Sequence, residues 1–176
     1  MLEVDGRPWR TVPADVVVRA GLAPGLELDR PALRRVRREL ARARALDVAG
    51  RALAQGDVSS RRLEERLRRA DVAQPVAASV LAGLRRAGVA DDARAARARA
   101  EVLAARGWGD EAVAARLEAD GFDEMDVRGA LAALDPELPR ARALVGREPD
   151  ARRAARLLAR RGFADETAES LLGGLD

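Results

Sequence analysis

From about residue 29 onward, apolar residues recur at spacings of three and four, the period of helices that bury one face. The pattern also repeats as a block. Moved forward by 50 positions, Leu63, Leu67, Val72, Leu81 and Leu84 fall on Val113, Leu117, Phe122, Leu131 and Leu134. A further step of 41 carries Val113, Leu117, Phe122, Val127, Leu131 and Leu134 onto Ala154, Leu158, Phe163, Ala168, Leu172 and Leu175. Gly121-Phe122 and Gly162-Phe163 coincide, which puts a helix-stopping glycine before an apolar anchor in the two later copies. Asp71-Val72 holds that place in the first copy.

Each copy reads as a short helix, a stop, an anchor and a second helix, with one more helix ahead of the pair. Leu46, Ala49 and Leu53 serve the first copy, Ala96, Ala100 and Leu103 the second, and Leu138, Ala141 and Val145 the third. Units of this size cannot bury their own faces and stack on their neighbours. The predicted fold is all-α, with three tandem three-helix repeats in an elongated curved array; a compact bundle that duplicated internally is the alternative. The first dozen residues differ, because Leu2-Glu3-Val4 and Trp9-Arg10-Thr11-Val12 flank Asp5-Gly6, a tight-turn dipeptide that predicts a small β-hairpin. Val16-Val17-Val18, closed by Gly21, predicts a short helix, and Asp29 followed by Pro31 marks a helix start. The expected division is 1–28 for the hairpin and short helix, 29–90 for an N-terminal helix and repeat one, 91–136 for repeat two and 137–176 for repeat three.

Composition sharpens this picture. Of the 176 residues 48% are hydrophobic, yet only two Phe, two Trp and two Met occur, and Tyr is absent. Much of the apolar content is therefore Ala, which favours helix and close helix approach while burying little area per residue. All 32 basic residues are Arg, and Cys and His are absent. Disulfides, thiolate nucleophiles, Cys/His zinc sites and imidazole acid–base catalysis are thereby excluded. Ser59 and Ser60 have no His or Lys to activate a hydroxyl, and Ser59 reads better as a helix cap. The acidic groups Asp91-Asp92, Asp110-Glu111 and Asp123-Glu124-x-Asp126 fall at predicted helix starts, where carboxylates accept backbone N–H groups; no EF-hand spacing is present. No cofactor and no catalytic residue is expected. No apolar run reaches membrane-spanning length, which with the unremarkable N-terminus points to the cytoplasm.

The net charge of +3 hides an uneven distribution. Residues 91–137 hold 6 arginines against 12 carboxylates, whereas residues 58–90 hold 7 against 3. The middle is acidic and both flanks are basic, which is what a partner feels.

Taken together, Leu63-x-x-Arg66-Leu67 with Val72, Leu81-x-x-Leu84-x-x-x-Gly88-x-x-Asp91-Asp92, Arg94-x-Ala96, and Gly107-Trp108-Gly109 ahead of Val113-x-x-x-Leu117-x-x-x-Gly121 resemble the RecX family of recombinase regulators. The resemblance spans about residues 40–176. It implies tandem three-helix repeats and a non-enzymatic monomer that binds the RecA recombinase filament on DNA and modulates its ATPase and strand exchange, most simply by inhibition. The chain departs from the family pattern at Gly56-Asp57-Val58-Ser59, at Arg62 and Ala95, and at Asp110, Glu111, Glu118 and Asp120. These acidic positions argue against phosphate contact by repeat two.

The candidate contact residues are basic. Arg61, Arg62, Arg66, Arg68 and Arg69 occupy the polar part of the helix whose buried face is Leu63 and Leu67, and Arg85 with Arg86 follow on the next helix. Arg152, Arg153, Arg156, Arg160 and Arg161 repeat the arrangement around Leu158, and Arg34, Arg35, Arg37 and Arg38 form a further run. Such surfaces suit DNA phosphates or an acidic filament face without base readout. An Arg-rich coding bias with solvated helix faces is the competing explanation. Trp108, if exposed, is a candidate partner anchor. A nucleic-acid-binding repeat protein independent of recombinase, and a purely structural interaction array, are the alternative functions.

Overall fold

The computed structural model describes residues 1–146 and 150–173. Leu175 and the side chain of Leu172 lie outside the described residues. Strands β1 (Leu2–Val4) and β2 (Arg7–Arg10) pair antiparallel, with Val4 opposite Arg7 and Leu2 opposite Arg10. Asp5 and Gly6 both take positive φ, 51° and 72°, as the two-residue turn between right-twisted strands requires. The remaining elements are α1 (Ala14–Arg19), α2 (Arg30–Ala54), α3 (Ser60–Arg69), α4 (Gln74–Arg86), α5 (Asp92–Ala105), α6 (Asp110–Ala119), α7 (Glu124–Ala132), α8 (Glu137–Val145), α9 (Ala151–Arg161) and α10 (Asp165–Leu172). The predicted all-helical chain with an N-terminal hairpin is what the structure contains.

The chain divides into two compact units, one of residues 1–56 with 63–89, the other of residues 57–62 with the chain from 90 onward. In the first unit α2 packs against α1 and α4. Asp29 opens α2 by accepting the Ala32 N–H at 2.7 Å, with Pro31 in the first turn. The N-terminal helix expected from residue 29 and the first helix of repeat one turn out to be this single 25-residue helix. Its buried residues change sides on the way. Ala32 and Val36 are buried early, Ala45, Ala49 and Ala52 late, and at about 100° per residue the two sets lie on nearly opposite faces.

The second unit holds two further helix triplets. The triplet α5–α6–α7 buries Ala96, Ala100, Leu103, Val113, Leu117, Phe122 and Val127 around one core. The triplet α8–α9–α10 does the same with Ala141, Val145, Ala154, Leu158 and Phe163. The register read from the sequence holds: Leu63 and Leu67, Val113 and Leu117, and Ala154 and Leu158 are all 0% exposed. The stops match as well. Val72 N–H donates to Leu67 O at 3.1 Å, Phe122 to Leu117 O at 3.1 Å and Phe163 to Leu158 O at 3.2 Å, each following a residue of positive φ, Asp71, Gly121 or Gly162.

Candidate binding surfaces and the joints that carry them

The surfaces are positioned by joints inside the second unit, and the joints follow from a general difficulty. A helix N-terminus leaves backbone N–H groups without intrahelical partners. In α6 these are met by the following triplet. Asp110 N–H donates to the Glu137 carboxylate at 2.7 Å, and Glu111 N–H donates to Gly162 O at 3.2 Å. Just ahead of the helix, Gly109 N–H donates to Arg161 O at 2.9 Å. Glu137 also accepts from Ala164 N–H at 3.2 Å and from the Thr167 hydroxyl at 2.7 Å.

The start of α3 repeats this arrangement with different side chains. Ser60 N–H and its hydroxyl donate to the Asp92 carboxylate at 2.9 and 2.8 Å. Asp92 and Glu137 are each the first residue of their helix, α5 and α8. Ser59 donates its hydroxyl to Asp120 O at 2.7 Å and accepts the Arg62 N–H at 3.2 Å, which confirms it as the helix cap. At the start of α9 the cap is local, and Asp150 accepts the N–H groups of Arg152 and Arg153 at 2.9 and 3.2 Å. Asp91 and Asp123 likewise cap α5 and α7, as the sequence suggested.

These joints draw in several of the candidate arginines. Arg62 donates to Ala119 O at 3.0 Å and pairs with Asp120 at 2.9 Å, and Arg99 pairs with the same carboxylate at 3.1 Å. Arg161 donates to Arg106 O at 2.8 Å. It also lies 4.9 Å from the centre of the Trp108 indole, with Arg116 at 3.6 Å from that ring. Trp108 is half-buried, stacked by two guanidinium groups of its own chain rather than standing free. Arg140, which sequence reasoning passed over, ties Asp110, Trp108 O and Asp135 O together.

Elsewhere Arg66 donates to Gln55 at 3.2 Å, Arg69 pairs with Glu65 at 2.6 Å and Arg153 lies 3.6 Å from Asp150. Arg85 and Arg86 are exposed at the end of α4. Arg61 and Arg68 on α3, and Arg152, Arg156 and Arg160 on α9, are exposed and carry no ion pair among the described residues. The last three stand at i, i+4 and i+8 and so form a single row. Among the described residues no cluster of acidic side chains is arranged to hold a metal ion, and no helix is long and apolar enough to cross a membrane.

No protein-family model matches the sequence, and no curated protein matches it either. Solved structures do. The chain is similar to a crystal structure of the regulatory protein RecX, with a TM-score of 0.74 and 20% identity over 95% of this chain and 89% of that one. It is also similar to RecX from Lactobacillus salivarius, with a TM-score of 0.68 and 16% identity over 77% of this chain and 97% of that one. The chain therefore has the fold of these two proteins.

Proposed function

We propose that this chain is a RecX-type regulator that binds the RecA recombinase filament on DNA and lowers its ATPase and strand-exchange activity. The observation that carries the reading is the fold shared with the regulatory protein RecX over nearly the whole of both chains. The residue pattern supports it independently, because the triplet register that resembles the family is the register of the buried core. The protein acts in this reading by occupying a surface, as a cytoplasmic monomer without cofactor or turnover of its own. The contact residues are the exposed arginines that no joint uses, foremost the row Arg152, Arg156 and Arg160, supported by Arg61 and Arg68. A guanidinium offers a planar fork of donors to carboxylate or phosphate alike.

The test is steady-state RecA ATPase on single-stranded DNA, titrated with the purified chain. A fall in turnover that saturates with added protein is the expected result, and replacement of Arg152, Arg156 and Arg160 by Gln shifts the titration to higher concentration. Unchanged ATPase at a molar excess of the chain, together with no co-sedimentation with the filament, would reject the reading.

A further inference from the structure

We propose that the N-terminal half of α2 is a nucleic-acid-binding face, in which Arg30, Arg34, Arg37 and Arg38 grip backbone phosphates directly, with no recombinase required. The inference goes beyond filament regulation and stands on its own observations. Helix α2 carries eight arginines against two carboxylates, Glu39 and Asp47. Asp47 is taken by Arg51 at 2.6 Å, and Glu39 pairs at 3.4 Å with Arg38. Arg30, Arg34 and Arg37 are exposed and carry neither an ion pair nor a hydrogen bond among the described residues.

The four lie at i, i+4, i+7 and i+8, on one face, opposite the buried pair Ala32 and Val36. Followed toward the C-terminus, the same stripe runs into Ala45, Ala49 and Ala52, where it is buried. The stripe is thus small and covered where the helix packs, and wholly cationic where it does not. From Arg30 to Arg38 the helix rises about 12 Å, the axial length of three or four nucleotides of a duplex strand at ~3.4 Å each. A protein partner is a poorer match, since protein interfaces centre on aromatic or aliphatic anchors and this face has none. Long guanidinium side chains spread along an exposed helix face meet phosphates of any sequence, so the binding proposed is to the backbone.

The experiment is fluorescence anisotropy of the full chain, in the absence of recombinase, with a labelled oligo(dT) single strand and a labelled duplex of mixed sequence. The variant is the triple Arg34→Gln, Arg37→Gln, Arg38→Gln, which keeps long helix-forming side chains while removing charge. The expected result is a loss in affinity of about tenfold or more at low salt, with the slope of log affinity on log salt flattened by about 2 to 3. The corresponding triple Lys variant restores the slope. Arg97→Gln with Arg142→Gln, two exposed arginines of the second unit, is the control and leaves binding near wild type. Circular dichroism establishes that all variants are equally helical. No binding by the wild-type chain at low salt, an equal loss in the control, or binding to polyglutamate as tight as to DNA would each overturn the proposal. Because recombinase is absent, its failure leaves the ATPase reading intact, and the reverse holds too.

Discussion

A Cβ placed on Gly162 would stand 2.5 Å from the Cβ of Ala112 and 2.7 Å from the Ala112 backbone nitrogen. The stop of the last triplet is thus pressed into the start of α6, close enough for Gly162 O to accept an N–H from α6. The corresponding Gly121 lies against α3, where a Cβ would meet the Ser59 hydroxyl at 3.0 Å. Both also require positive φ, 68° and 85°. Asp71, the counterpart in the first triplet, takes φ 57° and is exposed. A glycine is demanded at the two stops that press on the start of another helix, whereas the exposed stop tolerates Asp. Gly162→Ala should cost about 2–4 kcal/mol, the strain of the left-handed backbone plus overpacking. Gly121→Ala should cost less, because its nearest contacts lie at 3.0 and 3.4 Å rather than 2.5 and 2.7 Å. Asp71→Gly should be neutral or stabilising by up to about 1 kcal/mol. Urea midpoints of the three variants check the order.

The buried register makes a second prediction. Leu67, Leu117 and Leu158 are equivalent and fully buried, so truncation of each to Ala should cost roughly 2–5 kcal/mol. A loss below about 0.5 kcal/mol at Leu117, read from denaturant unfolding, would mean that the site is not a packed core position.

These positions were legible in the sequence because a buried helix face must show its period, and a duplicated face shows it again at a fixed offset. The cap at Ser59 and the stops at Gly121 and Gly162 were legible for the same local reason. The joints were not. That Asp92 serves Ser60 and that Glu137 serves Asp110 and Thr167 are contacts across 27 to 32 positions, and an acidic residue at a helix start reads from sequence only as a cap or a dipole partner. Charge was legible in amount but not in availability. Arg62 and Arg161 look like Arg152 and Arg160 along the chain, yet the first two are engaged inside the joints, and the side chains of the second two are exposed with no ion pair among the described residues. Trp108 stood out in the sequence as a partner anchor if exposed, while its stacking between Arg116 and Arg161 depends on helices far apart in sequence.

Glu137 holds together α6, α8 and α10 through three hydrogen-bonded donors, so it should behave as a keystone of the second joint. Glu137→Ala strands the Asp110 N–H and frees Thr167, at a cost of about 1.5–3 kcal/mol for bonds to a charged acceptor. Thr167→Ala alone should cost about 1 kcal/mol. In a double-mutant cycle the two should be coupled by about 0.5 kcal/mol or more. Strict additivity would show that the Thr167 hydroxyl is satisfied by solvent.

The stacked indole offers an optical readout. In a Trp9→Phe background Trp108 is the sole tryptophan. Arg161→Gln removes one stacked cation, and should shift Trp108 emission to the red and cost about 1–2 kcal/mol. Arg160→Gln, one residue earlier and exposed, should leave both unchanged. A red shift of equal size in the two variants would argue against the stack.

The last prediction concerns acid. Partial burial, reinforced by repulsion from Asp123, Asp92 and Asp91, holds the Asp126 carboxyl above its ordinary value of 3.8. The folded chain then binds this proton more readily than the unfolded chain does, so the contribution of Asp126 to stability is fully present below the unfolded value and is lost as pH rises through the folded one. Asp126→Asn removes the charge but keeps the size and the backbone N–H that donates to Asp123 at 2.9 Å. Relative to wild type, the variant should therefore gain stability on going from acid to neutral pH, and the gain should level off once Asp126 is fully ionised in the folded chain. The measurement is the urea midpoint of both proteins across the acid range. A difference that shrinks toward neutral pH would mean that the amides at the start of α7 favour the carboxylate more than burial and its acidic neighbours oppose it.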